Sequence, residues 1–377
     1  MPKDKGSFER RVPVSLIEEK LSLLRKRTPK NVLVLGAPKT GKTFLINSVL
    51  KEQKDITYVY IDLSKIGMSP ESFSIEFMGN ICFSVLGGQK QEYSKFLGIN
   101  FLLSLESKIP KASFDVIKGI HNELLKIKPD QRFLVENALK FSESFSGKRF
   151  AVILDNFEFI LDINNFNQIK DVSSLDWSCS NASYVCLSSA SSQLKKYFKK
   201  FDVIDVNNLS LDETEQFVKE ISPADSKNSE KIHRLSNGNP YVIISLLKVN
   251  KEIKNIEKAF AIELLSKDSI LYKHCSSVLE EFLSRTSGKT LSRILLRVIS
   301  LNDGLRLSEI ASKMYRSAPV TKALLERLMI SDIIYKKDGR YYFHDSVLKL
   351  WIRLSAQNNA PDEEIGEEEM TEVLKLI

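Results

Sequence analysis

Gly36, Gly41, Lys42 and Thr43 stand in the order Gly-x-x-x-x-Gly-Lys-Thr, directly after the apolar run Val32 to Leu35. These residue types at this spacing suit the chemistry of a bound triphosphate. Two glycines let the backbone turn tightly and aim its N–H groups inward at phosphate oxygens. Lys42 sets a cation near the β- and γ-phosphates, and the Thr43 hydroxyl is a hard oxygen ligand for Mg²⁺. Ala37, Pro38, Lys39 and Thr40 complete the loop, and Phe44 follows it. Lys39 either faces solvent or reaches phosphate. Leu45, Ile46, Val49 and Leu50 recur at helical spacing, so a helix from Thr43 points its positive N-terminal end at the same anion.

A second carboxylate is needed to hold the metal, and its expected place is the end of a neighbouring apolar strand. Asp155, after Ala151-Val152-Ile153-Leu154, fits it. Hydrolysis also needs a group that orients water. Asn156 comes next and can hold a water but cannot take its proton. The nearest further carboxylate is Glu158, which either faces the γ-phosphate from a turn or begins a helix and does no chemistry. Ser188 and Ser189, after a later strand, either touch phosphate or form a plain serine turn. Arg10, Arg11 and Arg234 are the candidates for an arginine that completes the site.

Other elements must position these groups. An amphipathic helix is expected over 14–26, with Leu16, Ile17, Leu21 and Leu24 on one face. Strands are expected at 32–35, 56–63, 149–154, 182–187 and 201–206, and helices over most of 70–147. Strands apolar on both faces and alternating with helices indicate a parallel sheet. From Leu209 the period is helical: Ser210 or Asp212 can cap, and Ser236 to Pro240 breaks one helix and starts the next. Beyond Ser287 come three helices, near 291–299, 307–314 and 319–329. Two short strands follow around Asp338-Gly339, a strong hairpin signal, and then a helix over 346–354. Three helices and a hairpin suggest a winged helix-turn-helix. The expected domains are 1–207, 208–287 and 288–354, with an acidic tail over 355–377. Residues 355–369 are expected to be disordered and 370–377 to form one short helix.

Charge is unevenly placed. The 377 residues carry a formal charge of +7, but 286–354 hold thirteen Lys and Arg against six Asp and Glu, and 355–377 hold seven acids against one Lys. A basic C-terminal domain suggests double-stranded DNA as partner. Thr321 and Lys322, with Ser317 and Glu326, would face the groove. Lys336, Lys337 and Arg340 would lie on the wing, and Lys313 and Arg316 would flank it. The other reading is a protein-docking module or an ordinary solvated surface. Cys82, Cys179, Cys186 and Cys275 lack metal-ligand spacing, and Cys82 and Cys186 sit in apolar runs as core residues. No apolar run reaches a membrane span and the N-terminus is charged, so a reducing cytoplasm and no membrane partner are expected.

With these residues in place the chain resembles the archaeal-type ATPases of the STAND/AAA-related P-loop group. Four segments carry the likeness: GAPKTGKT (36–43), AVILDNFEFI (151–160), NGNPYVIISLL (237–247) and YYFHDSVLKLWIRL (341–354). The resemblance implies a P-loop ATPase domain, a helical lid and a winged helix. It also implies ATP and Mg²⁺ held by Gly36, Gly41, Lys42, Thr43 and Asp155. Pro240, with Gly238 and Asn239, would lie near the nucleotide and report its state to the lid. The chain departs from that group in two places: its Asp-Glu pair is Asp155-Asn156, and its double-Arg loop is Pro38-Lys39. No Asn/Thr-Lys-x-Asp guanine-recognition segment is evident, which favours ATP. The expected function is a nucleotide-dependent switch, a slow ATPase coupled to DNA binding. The alternatives are a nucleotide-gated protein scaffold that captures a partner through the acidic tail, and a homo-oligomeric initiator or remodelling ATPase.

Overall fold

A computed structural model describes residues 11–26, 28–51, 55–284, 288–355 and 367–376. The chain divides into two compact units. Of the described residues, the first unit holds 11–36 and 42–206, and the second holds 37–41 and 207–376.

The first unit is built on a five-stranded, all-parallel sheet. Its strands are β1 (Val32–Leu35), β2 (Thr57–Asp62), β3 (Phe150–Asp155), β4 (Ala182–Ser188) and β5 (Asp202–Asp205), in the order β2-β3-β4-β1-β5. The long apolar runs of β1, β3 and β4 follow from burial on both faces. Leu33, Leu35, Val152, Leu154, Tyr184 and Cys186 point into one core, which the helices Pro70–Leu86, Lys111–Leu124 and Gln131–Lys140 cover. Val32, Val34, Ala151, Ile153, Val185 and Leu187 point into the other, under the helices Arg11–Arg25 and Lys42–Lys51. The helix Pro70–Leu86 starts at Ser69, whose side chain accepts from Ser72 N, and stops at Gly87 in the left-handed region. At the sheet edge, Tyr58 and Tyr60 of β2 stay exposed.

The second unit is helical over 211–284, and Ser210 forms a capping box with Glu213 at its first helix. Beyond Gly288 come the helix Lys289–Leu301, β6 (Leu305–Arg306) and the helices Leu307–Lys313 and Ala318–Ile330. The hairpin β7 (Ile334–Lys337) and β8 (Arg340–Phe343) and the helix Ser346–Ser355 complete this part. The three strands are antiparallel in the order β6-β8-β7. Asp338 and Gly339 both take positive φ, as a two-residue hairpin turn requires. One apolar cluster runs from Leu209 to Val373, so the stretches on both sides of residue 287 share a core. Residue 287 itself, and most of the acidic segment 355–369, lie outside the described residues. The terminal helix spans Glu367–Leu376 and buries Val373 against that core. All four cysteines are buried and free.

Gly238 is the glycine this unit depends on. Its φ is +68°, and a Cβ there would meet the Leu209 carbonyl oxygen at 2.1 Å. The same carbonyl neighbourhood is tied by Leu209 N donating to Gly238 O at 2.8 Å. Gly238→Ala is expected to destabilise the protein by roughly 1–3 kcal/mol, through overpacking and backbone strain. Denaturant unfolding at neutral pH measures it.

Candidate functional site

Parallel strands bring their carboxyl ends to one edge of a sheet, and the groups singled out by sequence arrive there. In the first unit, Gly36 follows β1 and its N–H donates to the Ser188 carbonyl at the end of β4, 3.3 Å away. Lys42 begins the helix Lys42–Lys51, and its Nζ donates to the Gly36 carbonyl at 2.7 Å. Thr43 Oγ1 donates to Asp155 Oδ2 at 3.2 Å across 112 residues of chain. A hydroxyl and a carboxylate that converge in this way are the hard oxygen donors that suit Mg²⁺. Phe44 is exposed and makes no such approach.

Asp155 has further partners. Its own Oδ1 accepts from Asn156 N at 3.0 Å, and Tyr60, from the edge strand β2, donates its hydroxyl to Oδ2. Although Tyr60 is exposed on one side, the partial burial of its other side and then the bond to Asp155 push the phenol well above its ordinary value, so it stays a donor. Asn156 takes a left-handed conformation, φ 54°, and turns the chain into the 3₁₀ segment Phe157–Asn165. Its Nδ2 donates to Asp62 Oδ1 at 2.7 Å. Glu158 lies on that 3₁₀ segment and accepts from Ser188 Oγ at 2.5 Å and Ser189 Oγ at 3.3 Å. Glu158 is thereby held at the end of β4, the strand between those that carry Asp155 and Gly36.

The second unit contains the loop tip 37–41. Thr40 is buried and donates through Oγ1 to the Ala37 carbonyl at 3.0 Å. Lys39 and Gly41 both have positive φ, and around Gly41 a Cβ would meet no atom within 4 Å. That opening leaves room for a ligand's oxygen atoms beside the backbone. Asn239 caps the helix Pro240–Ile253 with Oδ1 and donates Nδ2 to the Pro38 carbonyl at 3.3 Å. Pro240 stands at the first position of that helix, half-buried. Lys39 Nζ lies 5.5 Å from the centre of the Tyr241 ring, and Tyr241 packs edge-on against His274.

With this geometry in view, the chain can be set beside known proteins. No protein-family model and no curated protein matches it. A Walker-type ATPase of Pyrococcus abyssi superposes with a TM-score of 0.57 at 18% identity, over 92% of this chain and 96% of that one. The chain has a P-loop ATPase fold. Two more distant structures are Drosophila ORC bound to DNA and the RuvB Holliday junction branch migration motor of Thermotoga maritima. ORC has a TM-score of 0.43 at 10% identity, over 94% of this chain and 89% of that one. RuvB has a TM-score of 0.38 at 10% identity, over 94% and 96%. Both lie too far away to carry an argument.

The P-loop residues, Asp155 and Glu158 thus occupy strand ends of one sheet or the loop that leaves it. Tyr60 and Asp62 were not foreseen. A signal for Asp62 was present: the strand Thr57–Asp62 ends in an aspartate, as the strand to Asp155 does. In the C-terminal part, Lys313, Arg316, Lys322, Lys336 and Lys337 are exposed. Two residues differ from expectation. Thr321 is fully buried beside Leu324, Leu325 and Leu328, and its hydroxyl donates to Ser317 O at 3.0 Å. The helix starts at Ala318, which puts Thr321 on the inward stripe, so Thr321 does not face a groove. Arg340 is half-buried and donates to the Gly304 carbonyl at 2.6 Å. Arg10 lies outside the described residues. Among the described residues no helix is long and apolar enough to cross a membrane.

His274 gives the second unit a pH dependence. Burial, and then the Lys39 ammonium, lower it from its ordinary 6.5 to about 4. Between those values the unfolded chain binds a proton that the folded chain refuses. Its contribution is therefore complete above pH 6.5, falls as pH drops toward 4 and is lost below. The expected loss is about 1–3 kcal/mol. Denaturant unfolding of wild type and His274→Phe at pH 7 and pH 4 measures it, and the variant's curve is the flatter one.

Proposed function

We propose that the chain binds ATP with Mg²⁺ at its P-loop, hydrolyses it slowly, and uses the bound nucleotide as a switch on a DNA-binding C-terminal domain. The observation that carries this reading is the convergence of Thr43 Oγ1 and Asp155 Oδ2, 3.2 Å apart, beside the glycine-flanked loop. On this reading Ala37, Lys39, Thr40 and Gly41 offer backbone N–H groups to phosphate oxygens; Pro38 has none, and Gly36, whose N–H donates to Ser188 O, turns the chain into the loop. Lys42 exchanges the Gly36 carbonyl for the β- and γ-phosphates, and Phe44 follows at the exposed start of the helix. Thr43 and Asp155 hold Mg²⁺, which when bound neutralises charge on the phosphate oxygens. Glu158 is held at the end of β4 by Ser188 and Ser189. Pro240 and Asn239 belong to the part that responds to the loop tip.

The DNA reading rests on charge and topology. Helices Lys289–Leu301, Leu307–Lys313 and Ala318–Ile330, with the sheet β6-β8-β7, have the order of a winged helix. Lys322 on the third helix, Lys336 and Lys337 on the hairpin and the flanking Lys313 and Arg316 would neutralise phosphates. A second reading, a nucleotide-gated protein scaffold, gains from Thr321 being buried and Arg340 being tied to Gly304, which leave the expected DNA surface with fewer polar groups.

Lys42→Ala is expected to weaken Mg²⁺–ATP binding by about 10- to 100-fold, the worth of one charge-assisted contact. Asp155→Asn is expected to lower turnover more than affinity. Calorimetry and phosphate release read the two apart, and a folded wild type without Mg²⁺–ATP uptake would sink the reading. Separately, duplex DNA is expected to be retarded in a gel at low salt, with a shift that changes when ATP is added. No retardation of any duplex leaves the scaffold reading in its place.

A further inference from the structure

The end of β3 lacks a carboxylate directly after Asp155, and the structure shows what stands beside the amide found there. Asp62, the last residue of the neighbouring strand β2, is in register with Asp155. Its Oδ1 accepts from Asn156 Nδ2 at 2.7 Å, and also from Ser64 Oγ at 2.6 Å and Ser64 N at 3.2 Å. Its Oδ2 pairs with Lys65 Nζ at 2.7 Å. Burial raises the Asp62 carboxyl, and the bonds from Lys65, Ser64 and Asn156 outweigh it and hold the carboxyl below its ordinary value. Asp62 is thus ionised at neutral pH and accepts only.

An acceptor-only neighbour decides which way an amide is turned. With its oxygen toward Asp62, Asn156 would set two acceptors against each other; with its nitrogen there, it makes a charge-assisted bond. The Asn156 amide oxygen then lies on the other branch of the amide plane, away from Asp62. Of the other carboxylates at these strand ends, Glu158 already receives two serine hydroxyls and Asp155 receives Thr43 and Tyr60.

We propose that Asp62 is a positioning residue for hydrolysis: by holding the Asn156 NH₂ it fixes the Asn156 oxygen as the acceptor that orients the attacking water. This rests on the ATPase reading above. In the step, the water oxygen bonds to the γ-phosphorus and the bond from γ-phosphorus to the β–γ bridging oxygen breaks. ADP leaves with that electron pair. The water's proton passes to a γ-phosphate oxygen, because an amide accepts a hydrogen bond and not a proton. A loose phosphoryl-transfer transition state asks for positioning more than for deprotonation, so an oriented amide suffices.

The test compares wild type, Asp62→Asn and the exchanged pair Asp62→Asn/Asn156→Asp. Each is measured for Mg²⁺–ATP affinity by calorimetry, for kcat and KM by phosphate release, and for thermal unfolding. Asp62→Asn is expected to lower kcat about tenfold, the worth of one lost orienting bond, with affinity kept within about twofold. The exchanged pair restores the bond with a carboxylate at 156, and kcat returns to the wild-type level or above. The proposal is overturned if Asp62→Asn keeps wild-type kcat, if affinity falls with kcat, or if the exchange fails to rescue a folded protein. It is also overturned if wild type binds ATP and shows no turnover. Should wild type bind no nucleotide, the ATPase reading fails first, at the calorimeter, and this inference falls with it.

Discussion

Parallel register is the constraint on which the site depends. β3 and β1 each pair with β4, and all three run the same way, so Asp155, Ser188 and Gly36 reach one edge of the sheet together. A slip of one residue in β3 would turn Asp155 to the opposite face and away from Thr43. The register is held by burial on both sides: Val152 and Leu154 in one core, Ala151 and Ile153 in the other. The slip would exchange all four, and neither core has the shape for its new occupants. The chemistry at the strand ends is thus fixed by apolar packing well below it.

That edge gathers negative charge. Asp62, Asp155 and Glu158 lie at the ends of β2 and β3 or just beyond, and only Asp62 is met by an ammonium as well as by neutral donors. Asp62 has an ammonium and an amide, Asp155 has two hydroxyls, and Glu158 has two serines. The difference matters for exchange. A hydroxyl can give up one carboxylate oxygen to a metal and remain hydrated or become a ligand itself, whereas an ammonium paired at the same oxygen would compete with the metal as a charge. Asp155 and Glu158 are both met by hydroxyls, and of the two it is Asp155 that meets Thr43, which is why the proposed reading gives the cation to Asp155. Asp62, already neutralised by Lys65, suits a fixed electrostatic support.

What could be read from sequence was what is local. The Gly-Lys-Thr loop, the apolar strands and the Asp-Gly hairpin each declare themselves within about ten residues, and each is found, with ends shifted by a residue or two. Asp62 and Tyr60 were missed because their meaning is lateral. Which strand lies beside β3 depends on the order β2-β3-β4-β1-β5, and no short window carries that order. Thr321 was misplaced by helical phase: polar residues at 317, 321 and 322 look like one face until the buried Leu324, Leu325 and Leu328 set the stripe. The two-residue β6 left no periodic trace. Glu158 was ambiguous for a different reason. Its place follows from the left-handed turn at Asn156, a conformation that asparagine tolerates but does not announce.

An amide at position 156 bears on what kind of device this fold makes. A carboxylate there would orient water and could share its proton; an amide does only the first. On the proposed ATPase reading, turnover would be slowed without being removed, since positioning is the larger demand of phosphoryl transfer. A slow step lengthens the life of the nucleotide-bound form. Lifetime alone shifts no equilibrium: a bound nucleotide moves the second unit only as far as it favours one arrangement of that unit over another. The loop tip is where such a preference can arise. Pro38 and Lys39 are packed within the second unit, against Asn239 and Tyr241. On the proposed reading, phosphate in the loop would compete for Lys39 and for the backbone around it. On the proposed reading, a long-lived bound state favours a switch over a motor.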